Sequence, residues 1–376
     1  MEKVVTMPFA DCYCGKNVLL TGHTGFKGSW LAEWLLALGA KVTGFSLAPP
    51  TEPALFDQLG LAPRLRHVTG DIRDAAALRQ VVSESRPDFV FHLAAQSLVR
   101  RSYAEPVETY ATNVMGTAHL LEAVRILGQP CTVVVVTTDK CYENREWVHS
   151  YREEDALGGY DPYSSSKGAA ELVVSAYRRS YFSAPEVPIF VASARAGNVI
   201  GGGDWAVDRI VPDCIRALQG GKTIAVRNKH ATRPWQHVLE PLSGYLWLAS
   251  CLARRQAQPG FSAGALSSAF NFGPGLEANR PVVDLVQAVL RHWPGSWDDQ
   301  SNPQAVHEAQ RLNLATDKAY HLLQWKTVWD FEEALARTIA WYSGQFRQPA
   351  DAAKIVREQI SDYTAAAAIR HIAWAG

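Results

Sequence analysis

Along the first half of the chain, short apolar runs alternate with longer stretches whose apolar residues recur at helical spacing. The runs occupy residues 17–21, 41–47, 65–70, 88–93, 132–138 and 188–195. Several are continuous rather than alternating, Val133 to Val136 most clearly. A strand reads that way when helices cover both faces of its sheet. Segments of helix length lie between the runs, at 28–38, 74–85 and 109–127. In the first, Trp30, Trp34 and Leu38 recur at i, i+4 and i+8, which sets one apolar stripe against a sheet. The alternation predicts an α/β fold built on a doubly wound parallel sheet.

After Arg195 the pattern loosens. Residues 197–203 form a glycine-rich turn, and 220–233 mix a short strand with basic residues. A helix at 241–253 and a strand at 269–272 are expected to rejoin the first sheet, and 281–292, 317–323 and 331–342 read as helices. Two units are expected: residues 1–197 with 235–272 returning to them, and a smaller C-terminal lobe from 198–234 and 273–376.

Composition narrows the function classes. The 376 residues carry 37 Lys+Arg against 37 Asp+Glu. A zero balance excludes a partner that must be gripped as a polyanion, so no nucleic acid is expected. A hydrophobic content of 47% excludes a disordered chain. The first sixteen residues lack the apolar run of a secretory signal, and no stretch reaches the ~18 apolar residues of a membrane span. A cytoplasmic protein without a membrane partner is expected. The six cysteines (Cys12, Cys14, Cys131, Cys141, Cys214, Cys251) are scattered without zinc-site spacing, so they read as reduced thiols and no metal is expected.

Three constellations carry chemistry. The run at 17–21 leads into Gly22-His-Thr-Gly25-Phe-Lys-Gly28 and then a helix. Glycines there permit a tight turn and let a pyrophosphate approach the helix N-terminus, where free N–H groups and the dipole favour anions. This points to a Rossmann-type dinucleotide domain in the first unit and a substrate-binding lobe in the second. The acidic residue expected ~20 positions on for the adenosine ribose is missing, because the second run ends in Ser46-Leu47-Ala48, and no nearby Arg invites a 2′-phosphate. The residues alone leave NAD and NADP open. Next, Tyr163-Ser-Ser-Ser-Lys167 opens a helix, and residues at i and i+4 share a face. A lysine ammonium beside a phenol of pKa ~10 is expected to favour the phenolate and make it a usable base. Finally, Thr137, Thr138, Asp139, Lys140, Cys141 and Tyr142 stand at the carboxyl end of a central strand, where open parallel sheets bind ligands.

Together these pieces resemble the extended short-chain dehydrogenase/reductase family. The strings GHTGFKGSWL, GDIRD, HLAAQSLVR, TNVMGT, TTDKCYENREW, GGYDPYSSSKG, RAGNVIGGGDW and RPWQHVLEPLSGY are similar to its CDP-D-glucose 4,6-dehydratase branch, over residues 16–342, and REQISDY (357–363) to that branch's tail. The resemblance implies a hydro-lyase with tightly retained NAD, because the absent acidic residue does not separate the chain from that branch. It implies catalytic Thr138, Tyr163 and Lys167, with Asp139 and Lys140 standing where dehydratases of other nucleotide sugars carry Asp-Glu. The implied cofactor contacts are Gly22, Gly25, Phe26, Gly28, Asp71, Ile72, Leu93, Ala94, Ala95 and Asn113, besides Tyr163 and Lys167. Gln96, Asn198, Arg209, Arg233 and Asn271 are implied for the nucleotide-sugar substrate. A homodimer or homotetramer through the helices at 109–127 and 163–181 is implied as well, in dideoxysugar formation for a cell-surface (O-antigen) polysaccharide. A nucleotide-sugar 4-epimerase, a dehydratase of another nucleotide hexose and a non-catalytic NAD-binding regulator are the alternatives.

Overall fold

The computed structural model describes residues 7–184, 186–256, 258–259, 261–301, 310–347 and 351–376. Seven strands make the central sheet: β1 (Asn17–Thr21), β2 (Lys41–Ser46), β3 (Arg66–Thr69), β4 (Phe89–His92), β5 (Cys131–Val136), β6 (Ile189–Ala196) and β7 (Ala269–Phe272). Their spatial order is β7-β6-β5-β4-β1-β2-β3, and every neighbouring pair is parallel. The order reverses between β1 and β4, and a doubly wound sheet opens its ligand crevice at such a switch point. All six residues of β5 are buried, as its continuous apolar run requires.

Helix α1 (Phe26–Ala37) follows β1, α2 (Ala75–Ser85) follows β3, α3 (Gly116–Leu127) precedes β5, α4 (Pro162–Tyr181) precedes β6, and α5 (Leu239–Ala253) precedes β7. Trp30 and Trp34 of α1 are both fully buried, and the residues between them are buried as well. A helix that is apolar all round needs cover on both sides. The sheet supplies one side. The C-terminal helix Ala352–Ile369 and Trp374 supply the other, with Trp374 packed on Trp34 and stacked on Phe9. Glu33, on the covered side of α1, is 1% exposed and takes both arms of the Arg64 guanidinium at 2.5 and 2.9 Å, with Arg357 at 3.4 Å.

The segment expected as one helix at 109–127 is in three parts: Pro106–Tyr110, a wide turn over Ala111–Met115 with π-type bonding, and α3. The wide turn faces Asn113 inward. Beyond β6, short two-stranded pairings join Val199–Ile200 to Gln236–His237, Ile224–Val226 to Trp297–Asp299, and Thr232–Pro234 to Asn279–Pro281. Among the described residues no helix is long and apolar enough to cross a membrane, and no three metal-ligating side chains cluster.

The turn that links β1 to α1 leaves no room for side chains. A Cβ on Gly28 would lie 2.1 Å from the Gly22 carbonyl oxygen, and one on Gly22, whose φ is +76°, 2.7 Å from the Ala94 nitrogen. Both clashes are with backbone, which cannot swing aside. Gly28→Ala should therefore lower unfolding stability by about 2 kcal/mol or more and weaken dinucleotide binding; a urea unfolding midpoint equal to that of the wild type would contradict this.

Candidate active site

A cleft of about 1320 Å³ runs along the carboxyl ends of β1, β4, β5 and β6, from Asp71 and Arg73 at one end to Arg233 and Gln310 at the other. The glycine turn forms part of its floor. Gly25 occupies the N-cap of α1 and no side chain caps that helix, so its first N–H groups open into the cleft. Close glycine packing, an uncapped helix end and the topological switch point fit a dinucleotide pyrophosphate. Gly22, Gly25, Phe26, Gly28, Asp71, Ile72, Leu93, Ala94 and Ala95 all line the cleft.

Where β2 ends, Ser46 Oγ shares a 2.8 Å hydrogen bond with Thr24 Oγ1, closing the place of the missing carboxylate. An arginine does reach this end, from the turn that follows β3. Arg73 Nε and Nη2 donate to Asp71 Oδ2 at 2.8 and 2.6 Å, which holds the Asp71 carboxyl below its usual range. Distance along the sequence hid Arg73, because β3 lies beside β2 in space.

Three of the implied contacts have their side chains engaged within the protein. Gln96 lines the cleft, but its amide is used inside its own loop. Nε2 donates to Leu98 O and Thr109 Oγ1, and Oε1 accepts from the Leu98 N–H at 2.6 Å. Asn271 is fully buried in β7, outside the cleft lining. It accepts from Tyr142 Oη at 2.7 Å and donates to Tyr151 O and Ala315 O. Its side chain is consumed by the packing behind the strand ends and cannot reach a substrate. Asn113 likewise sits behind the lining: it accepts from the Gln96 N–H and donates to Gln96 O and Ser166 Oγ, tying the loop after β4 to α4.

Thr138, Asp139, Lys140, Tyr163 and Lys167 are brought together at the centre of the cleft. Asp161 caps α4 by accepting from the Ser164 N–H at 2.9 Å, and Pro162 stands in the first turn, so Tyr163 and Lys167 project from the start of a well-fixed helix. Thr138 Oγ1 donates to Asp139 Oδ1 at 2.9 Å. Asp139 is 1% exposed, yet its Oδ2 has no hydrogen-bond partner. Gly197 keeps that oxygen clear, since a Cβ there would come within 2.9 Å of it.

The expectation that Lys167 draws down the Tyr163 phenol is not met in the free protein. Burial pushes Tyr163 up to about 12, and a hydrogen bond with Thr138 acts in the opposite direction. Burial also pushes Lys167 down to about 8, with Glu171 opposing, and its ammonium donates to Val136 O at 3.3 Å. Desolvation penalises the charged form of both groups, and for each it is the largest influence.

Beneath them lies a buried ion pair. Glu171, one turn beyond Lys167, accepts from Thr137 Oγ1, from Ser193 Oγ at 2.7 Å and from Arg195 Nη2 at 2.9 Å. Arg195 Nη1 donates to Tyr142 Oη at 2.8 Å and Glu153 O at 3.0 Å. On the lobe side, Arg209 Nη1 lies 2.8 Å from Asp204 Oδ2, and Arg233 Nη1 donates to Thr232 O at 2.8 Å. Asn198 Oδ1 has no partner among the described residues. All three residues line the cleft, as does Lys27, which the residue patterns had not singled out because it stands within the glycine motif.

The model of the family described as GDP-mannose 4,6 dehydratase matches residues 19–259. The chain belongs to this family of nucleotide-sugar dehydratases. Within it, the chain is 47% identical over 359 residues to a CDP-glucose 4,6-dehydratase of Salmonella typhimurium, covering 94% of this chain and 97% of that one. Among solved structures, an epimerase of Methanothermobacter thermautotrophicus shares the fold with a TM-score of 0.76 at 23% identity, covering 95% of this chain and 99% of that one. A dTDP-glucose 4,6-dehydratase of Streptomyces venezuelae, solved with NAD bound, has a TM-score of 0.73 at 27% identity, covering 87% of this chain and 96% of that one. The dehydratase relatives therefore match this chain in sequence and in fold.

Glu171→Gln would leave the Arg195 guanidinium buried without a counter-charge. The expected cost is about 3–5 kcal/mol, read from urea unfolding, and a loss below 1 kcal/mol would remove this pair as the brace of the site.

Proposed function

We propose that this chain is an NAD-dependent CDP-D-glucose 4,6-dehydratase, which converts CDP-D-glucose to CDP-4-dehydro-6-deoxy-D-glucose and water. The observation that carries the reading is the Asp139–Lys140 pair beside Thr138 and Tyr163, with one carboxylate oxygen of Asp139 buried and unpartnered. Oxidation at C4 alone needs one base. Removal of water across C5 and C6 needs a further acid and base, and Asp139 and Lys140 supply both within the same cleft.

The chemistry a bound NAD supplies is reversible acceptance of a hydride. Tyr163 takes the proton of the C4 hydroxyl, which Thr138 orients. Once C4 is a ketone, the C5 proton is acidic, and Asp139 and Lys140 together remove it and protonate the departing C6 hydroxyl. Cofactor is restored in each cycle, so the site has reason to retain it. The lobe residues Asn198, Arg209 and Arg233 face the nucleotide diphosphate, while the segments 198–234, 273–301 and 310–347 form the wall that closes over it. The helix Ala352–Ile369 serves α1 instead.

The assembly proposed is a homodimer through the outer faces of 106–127 and α4, where Val107, Met115, Ile126, Leu172 and Tyr181 are exposed apolar side chains. The location proposed is the cytoplasm, and the pathway proposed is deoxysugar supply for a surface polysaccharide.

Tyr163→Phe should give no reduced nicotinamide absorbance on addition of CDP-glucose, with oxidation lowered by about 10²-fold or more. Asp139→Asn should still oxidise C4 and accumulate reduced cofactor; unchanged turnover in that variant would refute the acid/base assignment. A base acts deprotonated, and below its pKa each pH unit raises the deprotonated fraction about tenfold. The single-turnover oxidation rate should therefore rise with pH from the acid side, and a flat profile would exclude Tyr163 as the base.

A further inference from the structure

Lys27 stands in the first turn of α1 with its side chain in the cleft. Three features of its surroundings disfavour a cation. The N-terminal end of a helix carries a partial positive charge, so a lysine there opposes the dipole. The side chain is half-buried, and that burial, with the nearby Arg209 guanidinium second, pushes Lys27 down to about 8. It also makes no ion pair or hydrogen bond with any described residue. Asp204 is held by Arg209 at 2.8 Å, and Asp139 accepts from Thr138.

The charges that act on Lys27 are Arg209 and Lys167 on one side and Asp139 and Asp204 on the other. With Lys27 itself this makes three cations against two anions, at the positive end of a helix, inside a cleft. A partly desolvated cation without a counter-ion is unfavourable. That cost is offset only when an anion enters. The neighbours say where the anion sits. Arg209 and Asp204 belong to the loop after β6, and Asp139 to the reacting centre, whereas Asp71 and Arg73, at the adenosine end, are not among them.

We propose that Lys27 is a substrate-binding residue whose ammonium donates to the diphosphate of the nucleotide sugar, forming with Arg209 a two-cation clamp next to the reacting carbons. This rests on the nucleotide-sugar reading above. It makes α1 serve two ligands: its backbone N–H groups face the cofactor pyrophosphate, and its second side chain faces the substrate. A diphosphate carries two charges, which more than cancel the single surplus cation, and the clamp sets the sugar at a fixed distance from Asp139.

The test is calorimetric titration of NAD-saturated protein with CDP, CDP-glucose and cytidine, and of the free protein with NAD, in the wild type, Lys27→Met and Lys27→Arg. The Met variant keeps the apolar stem and loses the charge. Its affinity for CDP and CDP-glucose should fall about tenfold or more, while cytidine and NAD change less than about twofold. The Arg variant should retain most of the diphosphate affinity. Because an uncompensated cation is removed, the thermal midpoint of ligand-free Lys27→Met should equal or exceed that of the wild type. Loss of NAD affinity alone, no change for CDP, or an equal loss for cytidine would each overturn the proposal, as would a lowered midpoint. UDP, GDP and dTDP are titrated in parallel. If the wild type binds a nucleoside diphosphate but turns over no CDP-glucose, the dehydratase reading fails while the Lys27 comparison is still read on that diphosphate.

Discussion

The buried pair between Glu171 and Arg195 is the constraint on which the site depends. A carboxylate and a guanidinium this deep are costly to desolvate, and they persist only because nearly every hydrogen-bonding position is filled. The carboxylate binds Thr137 at the end of β5, Ser193 in β6 and Arg195 in β6, while its own backbone belongs to α4. The ends of β5 and β6 and the helix α4 are thus locked in one geometry by three side chains. Tyr163 and Lys167 lie on the same helix one and two turns earlier, so their positions relative to Thr138 and Asp139 follow from this lock.

Arg195 extends the constraint outward. Through Tyr142 it reaches Asn271 in β7, and through Glu153 it ties down the loop that carries Asp139 to α4. The polar network lies behind the cleft, and what it leaves inside the cleft is under-satisfied: Asp139 Oδ2, Asn198 Oδ1 and the Lys27 ammonium find no partner among the described residues. Asn271 belongs to that network, whereas Asn198 lines the cleft.

The fold was legible because its parallel strands are covered on both faces, and continuous runs such as Val133 to Val136 carry that signature. The glycine turn and the Tyr163–Lys167 spacing were legible because backbone geometry restricts which residues fit. Direction of side chains was not. Asn271 lies within a strand rather than beyond its end, where the packing of β7 claims it, and Gln96 folds back on Leu98 and Thr109. Arg73 and Lys27 escaped for different reasons: one arrives from the turn that follows a neighbouring strand, the other hides in a motif read for its glycines. The electrostatics of the Tyr163–Lys167 pair needed the structure, since spacing gives proximity but not the desolvation that opposes it.

The central claim is that one cleft removes a hydride at C4 and restores it at C6 of the same sugar after water is lost. Turnover of CDP-glucose carrying deuterium at C4, followed by mass spectrometry and NMR of the product, tests it most directly. The account predicts a product lighter than substrate by one water, with the deuterium found at C6. A product of unchanged composition with deuterium at an inverted C4 would contradict it.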